Sequence, residues 1–265
     1  MIQKSDKYVN DIKFNGSSIN RIYLNNEVYW GGEGSSSPQP TARYIPAVYC
    51  MNNNDITIYQ SNKAAFSIPW APDPSVAHMI DVELEPVLRS SSFYGWTVFF
   101  GGNTSTQRHM GNVYGLYTQY NKLYAGAFSS TIENNSIFIN NYLNKLWKIQ
   151  ISNDTGTSSQ RDYSVSVDVE GTTILSGSAT STYSNFGTFD PYFIFGGQIE
   201  RNQNAFATWQ YKLYKFDIYD DNVLVYQLRP YYDTIEQEYG MYDLVSDTFY
   251  PSINAAHPFT GELPT

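Results

Sequence analysis

Apolar and polar residues alternate along most of this chain, and the alternation rarely lasts more than eight residues before a turn interrupts it. MIDVELEP, GWTVFFGG, KLYAGAFS, KLWKIQIS, VSVDVEGTTILSG, YFIFGGQ and KFDIYDDNVLVYQL all carry this period of two. That is the spacing of side chains on one face of a β-strand. No segment holds a helical period for three turns. One short helical or 3-10 turn is expected near residues 233–240. Turn residues mark hairpins at Glu170-Gly171 and across Asp220-Asp221-Asn222, where φ > 0 is readily adopted. Strands recurring about every ten residues predict a two-sheet sandwich or a closed barrel.

The same pattern divides the chain. Residues 1–30 read as a small β unit with turns at Asn15-Gly16 and Asn25-Asn26. Its three strands place Ile12 and Phe14, Ile22 and Leu24, and Val28 and Trp30 on common faces. Strands this short have a marginal core and need a neighbour: the main domain, another copy or a docking surface. Residues 31–40, GGEGSSSPQP, have the composition of a flexible linker. Residues 41–265 form the large β domain.

Composition narrows the function. Aromatics make up 17% of the chain, with 24 Tyr, 15 Phe and 5 Trp, whereas charged residues make up 15%. Such a chain folds, and its surface is polar but sparsely charged. The net charge of −9 argues against nucleic acid as a partner, since binding phosphate requires clustered cations. No run approaches the ~20 apolar residues that span a bilayer. Cys50 is the single cysteine, so neither an internal disulfide nor a thiolate metal cluster is expected, and it reads as a small core residue in AVYCM. MIQKSDKYVND has no apolar segment of the kind that opens a secretory signal. The expectation is synthesis in a cytoplasm and release by lysis.

The C-terminal segment adds a resemblance. Leu213, Tyr214, Phe216, Ile218, Tyr219, Asp220, Leu224, Val225, Leu228 and Pro230, followed by Gly240, Tyr242, Asp243, Leu244, Phe249, Tyr250, Phe259 and Gly261, resemble the closing strands of concanavalin A-like, laminin-G-like domains of phage proteins. GWTVFFGGN at 95–103 and YFIFGGQ at 192–198 resemble two earlier strands of that family. INRIYLNNEVYW resembles short repeats at the particle-attached end of phage tail and fibre proteins. The resemblance implies an all-β, two-sheet antiparallel jelly roll on a virion, as tail, fibre or head decoration. It implies attachment to other virion proteins through residues 1–30, a homo-oligomer, and adhesion to cell-surface or mucosal glycan. A fold alone does not establish a ligand. A purely structural virion protein with no ligand therefore stays open.

Candidate chemistry is sparse. Asp81, Glu83 and Glu85 share one strand face in MIDVELEP. Laminarinase-type jelly rolls carry their nucleophile and acid as ExDxxE, and a retaining glycosidase needs two carboxylates about 5–5.5 Å apart. The order here is DxExE, so a glycoside hydrolase is an alternative, set against a strand with Ile80, Val82 and Leu84 packed inward and its acids outward. His78, His109 and His257 lack metal-ligand spacing. Asp220, Asp221 and Asn222 lack the rest of a calcium loop, and Asp243 reads as a turn cap. No GxSxG motif is present. No cofactor, metal or catalytic residue is expected, and the chain reads as a binding or scaffold module.

Sugar rings stack on aromatic faces, and polar loops bind their hydroxyls. Trp70, in the proline-flanked PWAPDP, is expected to be exposed. Segment 103–120, NTSTQRHMGNVYGLYTQY, has the composition of a recognition loop. The candidate ligand contacts are Trp70, Arg108, Tyr114, Tyr117 and Tyr120; Trp96 and Trp147 sit at core-type strand positions.

Overall fold

A computed structural model of the chain describes residues 12–14, 17–19, 21–24, 27–31, 42–45, 48–49, 66–70, 72, 76–88, 96–102, 114–119, 122–127, 130–134, 139–157, 160–182, 192–194, 198–200, 203–206, 210–252 and 259–261. The expected N-terminal strands are present, but as four rather than three. Strand β1 (Ile12–Phe14) pairs with β2 (Ser17–Ile19), and β3 (Arg21–Leu24) with β4 (Glu27–Gly31). Asn15-Gly16 and Asn25-Asn26, the expected turns, lie outside the described residues. Gly31 ends β4; residues 32–40 of the expected linker lie outside the described residues, as does Cys50.

The next strands are β5 (Ala42–Tyr44), β6 (Val48–Tyr49), β7 (Phe66–Ile68), β8 (His78–Leu88), β9 (Trp96–Gly102), β10 (Tyr114–Gln119), β11 (Lys122–Ala127) and β12 (Ser130–Asn134). After a 3-10 turn at Ile139–Tyr142 come β13 (Trp147–Thr157), β14 (Gln160–Val169), β15 (Thr172–Thr182), β16 (Tyr192–Ile194), β17 (Gln198–Glu200) and β18 (Gln203–Phe206). The chain closes with β19 (Gln210–Asp220), β20 (Val223–Asp233), β21 (Glu238–Asp243), β22 (Thr248–Pro251) and β23 (Thr260–Gly261). Residues 234–237, where a helical turn was expected, form the β20–β21 hairpin turn instead.

Two antiparallel sheets make a jelly-roll sandwich. One has six strands in the order β12-β11-β10-β9-β16-β7. The other has eleven: β15-β14-β13-β8-β19-β20-β21-β22, with β5, β6 and β23 beside that path. The chain passes back and forth between the sheets, so β8 lies between β13 and β19, and β9 lies beside β16. Strands distant in sequence thus become neighbours, as in Greek-key topologies.

The core lies between the sheets. Ile80, Val82 and Leu84 from β8 are buried with Trp147, Ile149 and Ile151 from β13 and Val165 and Val167 from β14. Aromatic rings bridge the gap: Phe99 lies 5.6 Å from Trp147 and 5.7 Å from Tyr211, and Phe100 meets Phe216 edge-on at 5.2 Å. Adjacent strand residues normally point to opposite faces. Here the register slips so that Leu116 opposes Phe100 and Tyr117 opposes Val98. Phe99 is the extra residue of this β-bulge, which lets both phenylalanines enter the core.

Candidate functional site

The acidic strand is settled by parity. Ile80, Val82 and Leu84 are buried, and Asp81, Glu83 and Glu85 lie half-exposed on the outer face of the eleven-stranded sheet. Their neighbours on β19 include bases. Lys215 Nζ lies 2.6 Å from Asp81 and 3.5 Å from Asp217, and Lys212 lies 3.2 Å from Glu85. Tyr214 donates its hydroxyl to Glu85 at 2.9 Å. Tyr214 sits in the register slip between Leu213 and Lys215, which brings it to this face together with the two lysines. Asp217 is almost fully buried and is gripped by Arg229 Nη1 at 2.5 Å and Nη2 at 3.1 Å. Burial presses the Lys215 ammonium toward neutrality. The Asp81 hydrogen bond, with the charges of Asp81 and Asp217, outweighs that and holds its pKa above the usual lysine value. The acids of β8 are thus members of a cross-strand charge ladder.

Trp70 is not exposed. It packs at one end of the sandwich, 5% accessible. The indole stands edge-on to Tyr192 at 4.9 Å and to His78 at 5.3 Å, and its Nε1 donates to both carboxylate oxygens of Asp220 at 3.2 and 3.3 Å. Asp220 also meets His78 Nδ1 at 2.6 Å. Asn153 accepts the His78 backbone N–H at 2.5 Å, and Asp221 accepts that of Ala77 at 3.2 Å. The Pro-flanked segment, the start of β8, β13 and the β19–β20 turn are therefore tied together at one end of the sandwich. Asp220 and Asp221 serve this tie. Among the described residues no group of three His, Cys, Asp or Glu side chains is placed to hold a metal.

The expected recognition loop is in part a strand. Residues 114–119 are β10, so Tyr114 and Tyr117, three apart, take opposite faces. Tyr114 points into the core, fully buried, 6.3 Å from Trp70 and 6.3 Å from His78. Tyr117 lies on the outer face of the six-stranded sheet, directly opposite Tyr124 of β11. Their rings stack 4° from parallel at 5.3 Å. The Tyr117 hydroxyl bonds the Thr131 side chain, and the Tyr124 hydroxyl bonds Glu133. Thr131 and Glu133 on β12 are exposed, whereas Tyr117 and Tyr124 are 1% and 8% accessible. Burial pushes the Tyr117 hydroxyl up to about 12; the Thr131 hydrogen bond opposes the shift, and Tyr124 and Glu133 add to it. Burial and the Glu133 charge also raise Tyr124.

Of the five sequence-derived ligand candidates, Trp70 and Tyr114 share the interior end cluster and Tyr117 faces the opposite side of its sheet. Arg108 and Tyr120 lie outside the described residues, as do His109 and His257. Sequence reasoning did not single out Tyr124, Thr131 and Glu133. The signal was available: KLYAG and STIEN alternate, and antiparallel pairing sets Tyr124 opposite Glu133, with Thr131 two residues along on the same face.

No protein-family model matches the chain, and no curated protein matches it. Among the described residues, no helix is long and apolar enough to cross a membrane.

Proposed function

We propose that the chain is a structural component of a phage particle, in tail, fibre or head decoration, whose sandwich adheres to carbohydrate and performs no covalent chemistry. Residues 1–30 join it to other virion proteins or to further copies. The observation that carries the adhesive part is the outer rim of the six-stranded sheet. There the hydroxyl–hydroxyl pair Tyr117–Thr131 and the hydroxyl–carboxylate pair Tyr124–Glu133 stand side by side over a rigid ring stack. Alternating donors and acceptors on a stiff sheet suit the vicinal hydroxyls of a sugar, and exposed Glu133 and Thr131 are the first groups a glycan meets. The virion setting rests on the resemblance already described. The segments that carry it fall on adjacent strands, with β9 beside β16 and β19 through β22 in unbroken succession, as pieces of one domain must.

A glycan array probed with the purified full-length chain tests this. Binding to a defined subset of glycans is expected, weakened about 10–100-fold by Glu133→Gln, since a hydrogen bond to a charged group contributes ~1.5–3 kcal/mol. Silence across the array supports the second reading, a purely structural virion protein. The burial of Trp70 and Tyr114 favours that reading.

A further inference from the structure

The edges of the two sheets are protected unequally. The six-stranded sheet ends in β7, three residues long, and β12, five residues long and carrying Glu133. The path of the larger sheet ends on one side in β22, four residues closed by Pro251. Shortness, charge and proline are the usual protections of an unpaired edge. On the other side it ends in β15, TTILSGSATST, eleven residues with no charge and no proline. Among the described residues β15 has a single ladder partner, β14, paired from Thr172 to Thr182. Thr172, Thr173, Ser176, Gly177, Ser178 and Thr180 are exposed.

Neighbouring groups fix the inner side of this edge. Asn134 of β12 donates to the Ile174 carbonyl at 2.8 Å, where β15 bulges. A methyl placed on Gly177 would lie 3.0 Å from Ile132 Cγ2, so the inner side of the strand there is already filled. Past the bulge the strand runs regularly to Thr182.

We infer that β15 is a self-association edge, pairing antiparallel with β15 of a second copy of this chain to make one continuous sheet across a two-fold axis. Self-pairing is the match its sequence allows. With Gly177 at the axis, Ser176 faces Ser178 of the partner subunit on the outer side, and Leu175 faces Ala179 of the partner subunit on the inner side. Hydroxyl thus meets hydroxyl and apolar meets apolar, as an isologous contact requires. The same outer face already uses such a pair between neighbouring strands, Ser152 with Ser164 at 2.8 Å. Charge selects the same edge. Two chains each carrying −9 repel over most of their surfaces, and a neutral strand lets them approach without opposing like charges. Salt screens the remaining repulsion, so added salt strengthens the pair. The inference does not rest on glycan adhesion: light scattering reads the mass with no glycan present, although β12, which carries Thr131 and Glu133, touches β15 through Asn134 and Ile132.

The test measures molar mass by light scattering on the full-length chain at micromolar to 100-micromolar concentration. The wild type is expected at an even multiple of the chain mass. Ser178→Lys places two like charges near the axis and halves that mass, with an unchanged circular-dichroism spectrum. Ser178→Glu does the same, and mixing the two variants restores the wild-type mass. Ser176→Lys repeats the test from the other member of the same facing pair, should either variant at 178 fold poorly. A monomeric wild type overturns the inference. So does a mass that survives both lysine variants, which moves the contact elsewhere, to residues 1–30 for example.

Discussion

Asp243 is a fully buried carboxylate with no cation among its hydrogen-bond partners. It accepts the N–H of Gln227 at 2.8 Å, of Val245 at 3.1 Å and of Ser246 at 3.1 Å, and the Ser246 hydroxyl at 2.6 Å. These donors supply the stabilisation that water gives in the unfolded chain. Two of them are backbone groups of the Leu244–Asp247 turn, and one belongs to the neighbouring strand β20, so one side chain fixes the turn and docks it. Asp243→Ala strands the buried donors and is expected to destabilise by ~2–4 kcal/mol in thermal or denaturant unfolding. Asp243→Asn keeps one acceptor oxygen and should lose less. Equal losses for the two would show that bulk, not hydrogen bonding, sets the cost. Backbone conformation sets a second residue-scale effect. Glu170 sits at φ 49° ahead of Gly171 at φ 82°, the φ signs of a type I′ turn, and the left-handed region disfavours long side chains. Glu170 also lies 3.6 Å from Lys145, but both groups are well exposed and the pair contributes little. Glu170→Asn is therefore expected to raise stability by ~0.5–1 kcal/mol, read as a higher midpoint of unfolding.

Hairpins repeat one device at the scale of elements. DTIEQ at 233–237 and DLVSD at 243–247 both open with an aspartate that accepts N–H groups two and three residues on, and both close on a left-handed residue. Asp233 binds Ile235 and Glu236, with Gln237 at φ 56°; Asp243 binds Val245 and Ser246, with Asp247 at φ 60°. This explains why 234–237 turns rather than coils into a helix: the Asp side chain captures the first N–H groups, and the chain then reverses. The hairpin at Asp221-Asn222, with φ 46° and 65°, and the inward parity of Ile80, Val82 and Leu84 were legible in the sequence, since both depend on residues a few positions apart. Trp70 was not. Its burial depends on Asp220, 150 residues away, and a Pro-flanked loop carries no sign of the surface on which it will lie. Tyr114 and Tyr117 were read as one loop because GLYTQY looks like loop composition; the three-residue spacing that divides them matters only once the segment is known to be a strand. The β8–β19–β20 ladder yields a prediction that separates charge from packing. Asp217, itself almost fully buried, faces Arg229 at 2.5 Å, so Arg229→Met leaves an anion without its main partner and should destabilise by ~3–5 kcal/mol. Adding Asp217→Leu should recover most of that loss. A double variant no more stable than the single would mean that Arg229 acts through its aliphatic stem.

The whole molecule is a sandwich held by aromatic rings, many of them phenols, and this sets its response to base. Burial raises Tyr117 to about 12 and Tyr226 to about 12, and raises Tyr163 and Tyr192 further. Near Tyr226 the Tyr250 hydroxyl adds to the shift, and near Tyr192 the Tyr114 hydroxyl does so. In each case the folded pKa lies above the unfolded value near 10, so the stabilisation is complete below pH 10 and is lost as pH rises toward the folded value. Lys215 shifts in the same direction, and its share also fades above its unfolded value. Each phenol ionised only in the unfolded chain lowers stability by ~1.4 kcal/mol per pH unit, so Tyr117, Tyr163 and Tyr192 together impose a slope of ~4 kcal/mol per unit. A domain stable by ~5–15 kcal/mol cannot withstand that slope for more than a few units. Tyrosinate absorbance near 295 nm should therefore rise in two stages: a gradual one near pH 10 from exposed phenols, and a steep one near pH 12 that coincides with loss of the β circular-dichroism signal. The topology shapes the return, because β8 must find β13 and β19 across long stretches of chain, and such nonlocal pairing refolds slowly. On lowering the pH again, the steep stage should lag behind the gradual one. A single smooth titration centred at pH 10 with the sheet signal intact would place these phenols in water and contradict the packed interior described above.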